Sequence, residues 1–517
     1  MDNMKKAFCM TMAAVTAAAA LTGCGNLGLN GGKKKSGEKL TYWMTLDSNI
    51  KSQVSGFEET PYAKKLMEET GVEIEYVYQE SDEQFNLMIA SNELPDIIEH
   101  IWKDFPGGPE KAIKDKIIIP LNDYIKDKAP NLAKYYKDHP EIEKSAMTDS
   151  GNQYMFPFVR GDEKLLTSAG PIVRRDWLDE LGIKEPETID DWYNMLTEFK
   201  TRKGAETPLT IFGYQGVFAF GFLSGAYGTP KTFFVDNGKV KYGPIEDGYK
   251  EFLIEMNKWY REGLLDNNFV GIDNKIVDSS ILNGKAGATF GSLGSGIGKW
   301  LSAATEKGYD LAGVKYPVLK KGDRAFYSSM QNTVPGAGAT ISTSCKKLDE
   351  AFKVLDFAYS EKGKMLNNFG VEGESYEMKN GYPTYTKHIT ENSDGTPMAN
   401  ILSLYARATG QGPFVQDVRY IVQYASRPQQ QEALKAWIDT DCGKHLLPLV
   451  TPTSEESSEL GKLINECTTY EDESMIGFIT GKTSFDKWDE YVSQMKTLGI
   501  DRAIEINQKA YDRYQSR

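Results

Sequence analysis

The stretch GSLGSGIGKW at residues 291–300 has the glycine content of a phosphate-binding loop. Such a loop needs a glycine five residues before its Gly-Lys pair and a hydroxyl residue after the lysine. Position 293 is leucine and position 300 is tryptophan, so both requirements fail. Gly373-Glu374-Ser375-Tyr376-Glu377 approaches a nucleophile elbow and lacks its final glycine. His100, His139, His388 and His445 lie too far apart to form a local zinc motif. Asp47-Ser48-Asn49-Ile50-Lys51 begins like a calcium loop, then sets a lysine where a ligand should stand. With 73 acidic residues a carboxylate pair for glycoside hydrolysis stays open, although no acidic cluster stands out. Neither a metal nor a cofactor is expected.

What recurs is aromatic residues beside glycine, proline and polar groups at the ends of expected elements. Trp43 closes the first strand, and QYMFPFVRG places Tyr154 and Phe156 in a crossover. Trp177 follows Arg174, Arg175 and Asp176; Phe290 ends a strand, Trp300 opens a helix, and Tyr376 sits in VEGESYE. An aromatic face with hydrogen-bonding neighbours suits a sugar ring, apolar on its C–H face and hydroxylated at its rim. The competing reading is core packing, which must hold for most aromatics in a chain that is 11% aromatic.

The N-terminus carries a different chemistry. Lys5 and Lys6 precede an apolar run from Ala7 to Leu21, which is shorter than the ~20 residues of a membrane span. Leu21-Thr22-Gly23-Cys24 resembles a bacterial lipobox, in which the cysteine thiol takes a lipid and becomes the new N-terminus. Residues 1–23 therefore read as a signal peptide and 24–37, rich in glycine and lysine, as a flexible tether. The lipid is the only membrane attachment expected. The formal charge of −13 disfavours nucleic acid and anionic membrane as partners. Cys345, Cys442 and Cys467 remain, too few for a disulfide framework, with a Cys442–Cys467 bridge left open.

The chain must position these residues on an α/β frame. KLTYWMT reads as a strand, TPYAKKLMEETG as a helix begun by Pro61 and stopped at Gly71, and VEIEYVYQ as a second strand. This is a βαβ unit and implies a parallel sheet. QFNLMIASNELP and DIIEH continue the pattern as helix and strand. Near residue 160 a second lobe begins. Thr188 and Asp191 have capping-box spacing at the head of a helix ended by Gly204. Region 211–229 is rich in glycine and aromatics, Asn237-Gly238 marks a hairpin, and residues 348–370 read as one long amphipathic helix.

The order of lipobox, tether and α/β lobe, then VRRDWLDELGIKEPETIDDWYNMLTEFK (173–200), FGVEGESYEM (369–378) and the tail from Met475 to Tyr514, resembles a known family. It is similar to the family 1 extracellular solute-binding proteins of carbohydrate ABC transporters, in the large Gram-positive lipoprotein branch of oligosaccharide and alginate binders. The resemblance implies a two-lobe, type II periplasmic-binding-protein-like α/β fold that closes about a hinge. It places residues 38–158 plus 332–362 in one lobe and 159–331 plus 363–517 in the other. It further implies a monomer that binds an oligosaccharide between the lobes and passes it to membrane permease subunits, without enzymatic activity. Carried over position by position, Trp43 and Asp96 would line the first lobe, and Tyr154 and Phe156 the crossover. Trp177, Phe290, Trp300, Glu372 and Tyr376 would face them, with Asp96, Arg160 and Glu372 as hydroxyl partners. The alginate branch carries a calcium loop, which the failed pattern at 47–51 argues against here. A lipid-anchored polysaccharide-cleaving enzyme and a receptor for a peptide or other solute are the competing functions.

Overall fold

The computed structural model describes residues 39–213, 221–391 and 396–517. The signal peptide, Cys24, the tether and part of the glycine-aromatic region lie outside these residues. In chain order the strands are β1 (Leu40–Met44), β2 (Ile74–Tyr78), β3 (Ile97–Ile101), β4 (Phe156–Pro157), β5 (Val159–Arg160), β6 (Ala169–Arg174), β7 (Phe233–Asp236) and β8 (Lys239–Tyr242). They continue with β9 (Ala288–Ser292), β10 (Leu311–Gly313), β11 (Ala337–Ile341), β12 (Tyr376–Lys379), β13 (Tyr382–Tyr385) and β14 (Val415–Gln416).

The βαβ unit forms as its pattern predicts. Thr60 caps the helix Pro61–Thr70 through Ala63 N, and Gly71 ends it at φ 64°. That left-handed stop costs glycine little and turns the chain into β2. β2, β1 and β3 run parallel, and β11 and β4 complete a five-stranded sheet in the order β2-β1-β3-β11-β4, with β11 antiparallel to both neighbours. This sheet and its helices enclose one hydrophobic core, which includes Ile97, Ile98, Trp102, Phe156 and Phe352. A second core gathers around the antiparallel sheet β10-β6-β9, with Trp192, Phe199, Phe252, Trp259 and Trp437 fully buried. The capping box of Thr188 and Asp191 is present at the head of helix Ile189–Arg202. Asn237 and Gly238 both take positive φ (48° and 76°), the backbone that a two-residue hairpin between β7 and β8 requires.

One expectation changes, and the open cysteine pairing is decided. The region 348–370 is two helices, Leu348–Phe357 and Glu361–Phe369. Ser360 breaks the run by capping the second helix through Gly363 N, and a Cβ on Gly363 would sit 1.8 Å from the Phe357 carbonyl oxygen. Local side-chain hydrogen bonding thus overrides the continuous apolar period. Cys442 and Cys467 do not pair; with Cys345 they are free, buried thiols.

Three chain segments pass between the two cores, and they hydrogen-bond to one another. β5 pairs with β14, Arg160 N donates to Thr333 O, and Gln331 N donates to Leu166 O. Among the described residues no helix is long and apolar enough to cross a membrane.

Candidate functional site

Parallel strands deliver their loops to one edge of a sheet, and here that edge opens into a cleft. β1 ends into Thr45 and Asp47, β2 into Gln79 and Asp82, and β3 into Asp104, Phe105 and Pro106. The antiparallel β11 starts at the same edge with Ala337 and Gly338. The far wall is Ser403 to Gln411, the approach to the third crossing segment. The volume is ≈ 670 Å³, within the range of ligand pockets.

The floor is held by one ion pair. Arg407 donates from Nη1 to Glu99 Oε2 at 3.0 Å and from Nη2 to Glu99 Oε1 at 2.8 Å. Tyr42 donates its hydroxyl to Glu99 Oε2 at 2.8 Å, and Arg407 Nη2 also reaches Gln411 O at 2.6 Å. Burial alone would lower the guanidinium pKa; Glu99 beside it more than compensates and the net shift is upward. Burial first, then Glu99, pushes the Tyr42 hydroxyl well above its ordinary range. Gly412 permits the arrangement, since a Cβ there would lie 2.7 Å from Arg407 Cζ.

Beside the pair stands an aromatic platform. His100 stacks on Phe85 with ring centroids 3.9 Å apart and 14° between planes, and Trp102 meets both edge-on. Burial lowers the His100 pKa, against the opposing pull of Asp104 and Asp82, so the ring is neutral at pH 7. With a depressed pKa, the unfolded chain takes up the proton first as pH falls. The stability that neutral His100 contributes is therefore complete above about pH 6.5 and lost as pH drops below it. Melting curves should show wild type more stable than His100→Gln at pH 7.5, with the gap narrowing at pH 5.

None of the ten predicted ligand residues lines this cleft. Trp43 lies beneath it, buried, with Nε1 3.4 Å from the lining residue Gln79. Asp96 sits at the opposite edge of the sheet: register sets Ile97 beside Tyr42, and Asp96 accepts from Thr41 N at 2.9 Å and Thr41 Oγ1 at 2.8 Å. Tyr154 and Phe156 are fully enclosed in the first core, with Phe156 against Phe352 and Tyr359. Arg160 joins the crossing segments, donating to Leu165 O, Gln331 Oε1 and Gln416 Oε1. Trp177 is a second-core residue, edge-on to Phe199 and covered by the Arg174 guanidinium at 4.6 Å. Trp300 is buried and donates to Asp278 Oδ1 at 2.7 Å. Phe290 is half-buried and stacked on Phe222. Glu372 is exposed, and Tyr376, behind it, packs on Phe369.

The glycine-rich stretch 291–300 is explained by crowding. A Cβ on Gly291 would lie 3.0 Å from the Trp300 ring, and one on Gly294 only 2.1 Å from Tyr424 Oη. Gly294→Ala should cost about 1–3 kcal/mol in denaturant unfolding, as overpacking of a tight contact does.

With fold and cleft defined, comparison with known proteins gives the class. Residues 55–365, more than half of the chain, match the bacterial extracellular solute-binding protein family, and the chain belongs to it. Lipoprotein LipO of Bacillus subtilis is 28% identical over 390 residues, 72% of this chain and 74% of LipO. The fructooligosaccharide ABC transporter substrate-binding protein FusA of Streptococcus pneumoniae is 25% identical over 496 residues, 88% of this chain and 87% of FusA. The crystal structure of the alginate-binding protein AlgQ2 without calcium ion superposes with TM-score 0.75 at 26% identity, covering 91% of this chain and 97% of AlgQ2. The fold is thus the two-lobe α/β fold of solute-binding proteins.

Proposed function

We propose that this chain is the substrate-binding lipoprotein of an ABC importer, held outside the membrane through Cys24. It captures an oligosaccharide by hinge closure and delivers it to the permease as a monomer, with no covalent chemistry on the sugar. The observation that carries this reading is the cleft, where an aromatic stack, Phe85 on His100, stands among polar groups at the carboxyl edge of a parallel sheet. Open α/β sheets bind ligands at that edge. Two of the relatives are named for oligosaccharide or alginate binding and one as a lipoprotein, which supports both the ligand class and the anchor. Closure follows because only an approach of the second lobe would contact the sugar from both sides.

A thermal-shift screen of the purified protein across oligosaccharides and peptides tests the reading, with the sugars recovered and sized afterwards. A ligand that binds only the folded state raises Tm. A shift with intact oligosaccharides is expected. A shift with peptides alone would overturn the sugar assignment, and shortened sugars would mark an enzyme.

A further inference from the structure

Resting on the reading of the cleft as a glycan site, we propose that it selects uncharged oligosaccharides and rejects those built from uronic acids. Four carboxylates, Asp47, Asp82, Glu99 and Asp104, line it. Arg407 is the only Lys or Arg among its described lining residues, and its terminal nitrogens are engaged by Glu99 and the Gln411 carbonyl. Asp47 accepts from Asn49 N at 2.8 Å and Asp82 from the neutral Gln79 amide at 3.3 Å; these bonds leave both charges in place. His100, neutral beside Asp82 and Asp104, offsets neither. The lining therefore presents three negative charges beyond the Glu99–Arg407 pair.

A uronate sugar carries one carboxylate per residue, so each subsite would set like charges against one another in a partly desolvated groove. A neutral sugar meets the same carboxylates as strong hydrogen-bond acceptors for its hydroxyls. One set of side chains thus attracts the first ligand class and repels the second, which is how specificity by difference arises.

The test is isothermal titration of the full protein with neutral tetrasaccharides (fructo-, xylo-, malto- and manno-) and with oligogalacturonate and oligoalginate of the same length, at low and high salt. At least one neutral sugar should bind tenfold or more tighter than either uronate, and the gap should narrow at high salt as the repulsion is screened. Asp82→Asn/Asp104→Asn should narrow it at least threefold; if that protein melts early, Asp104→Asn alone should narrow it in the same direction. Binding of a uronate as tight as that of every neutral sugar would overturn the selectivity while leaving the glycan site standing. Binding of no sugar from either class would overturn both.

Discussion

Replacing Arg407 with methionine should cost about 3–5 kcal/mol of folding stability, the penalty for breaking a buried pair by removing one partner. Glu99 would keep its hydrogen bond from Tyr42 and lose both guanidinium bonds, in a site where the two side chains are only 12% and 15% exposed. Arg407 also fastens the segment leading into the third crossing onto β3 and, through its own backbone N–H, onto Asn367 O. Ligand affinity should fall with stability, because the same residues build the cleft wall. Urea unfolding measures the first effect. Glu99→Gln combined with Arg407→Met should recover much of the loss, since no charge is then left buried alone. A single variant within 0.5 kcal/mol of wild type, a margin typical of exposed surface changes, would show that the pair contributes little.

Asp149→Ala should produce the second large effect, about 2–4 kcal/mol. Asp149 belongs to the turn preceding β4 in the first lobe, and its side chain is 4% exposed. It accepts from Arg513 Nε, from Arg517 Nη2, and from Thr451 Oγ1 at 3.1 Å. Both arginines come from the C-terminal end of the chain, on or just beyond helix Ile500–Ser516, which is fixed to the β7–β8 hairpin through Gln508 and Val240 N at 2.7 Å. The carboxylate therefore ties the end of the chain to the other lobe. Arg513 keeps Glu456 as a partner at 2.5 Å and is a third exposed, which holds the loss below that of a wholly orphaned pair. Hydrogen exchange should locate the effect in residues 510–517. Unchanged exchange there, with unchanged stability, would mean that the cluster is incidental.

Local periodicity made the frame legible: Gly71 as a stop, the Thr188 capping box and the Asn237-Gly238 hairpin each act through their own few residues. The break at Ser360 was equally local, yet its hydroxyl competed with an apolar pattern that continues across it. The floor of the cleft was not legible, because Glu99 and Arg407 lie 308 positions apart and neither carries a motif. Aromatic residues were ambiguous in the sequence: Tyr154, Phe156, Trp177 and Trp300 serve the two cores, and a strand or helix buried on both sides gives an aromatic no sign of which face it takes. Asp96 lies before β3 and accepts from Thr41. It precedes its strand, whereas ligands gather where parallel strands end. By the same rule Gln79 and Asp104-Phe105-Pro106, which follow β2 and β3, carried the signal that could have located the cleft.

Capture of an oligosaccharide in the cleft at the carboxyl edge of β1–β3 is most directly tested by titrating the wild-type protein and His100→Ala with the sugar that raises Tm most. One-to-one binding by wild type, weakened at least tenfold in a His100→Ala protein that still melts cooperatively, is the expected result. Equal binding by both proteins would place the sugar elsewhere and contradict the assignment of the cleft.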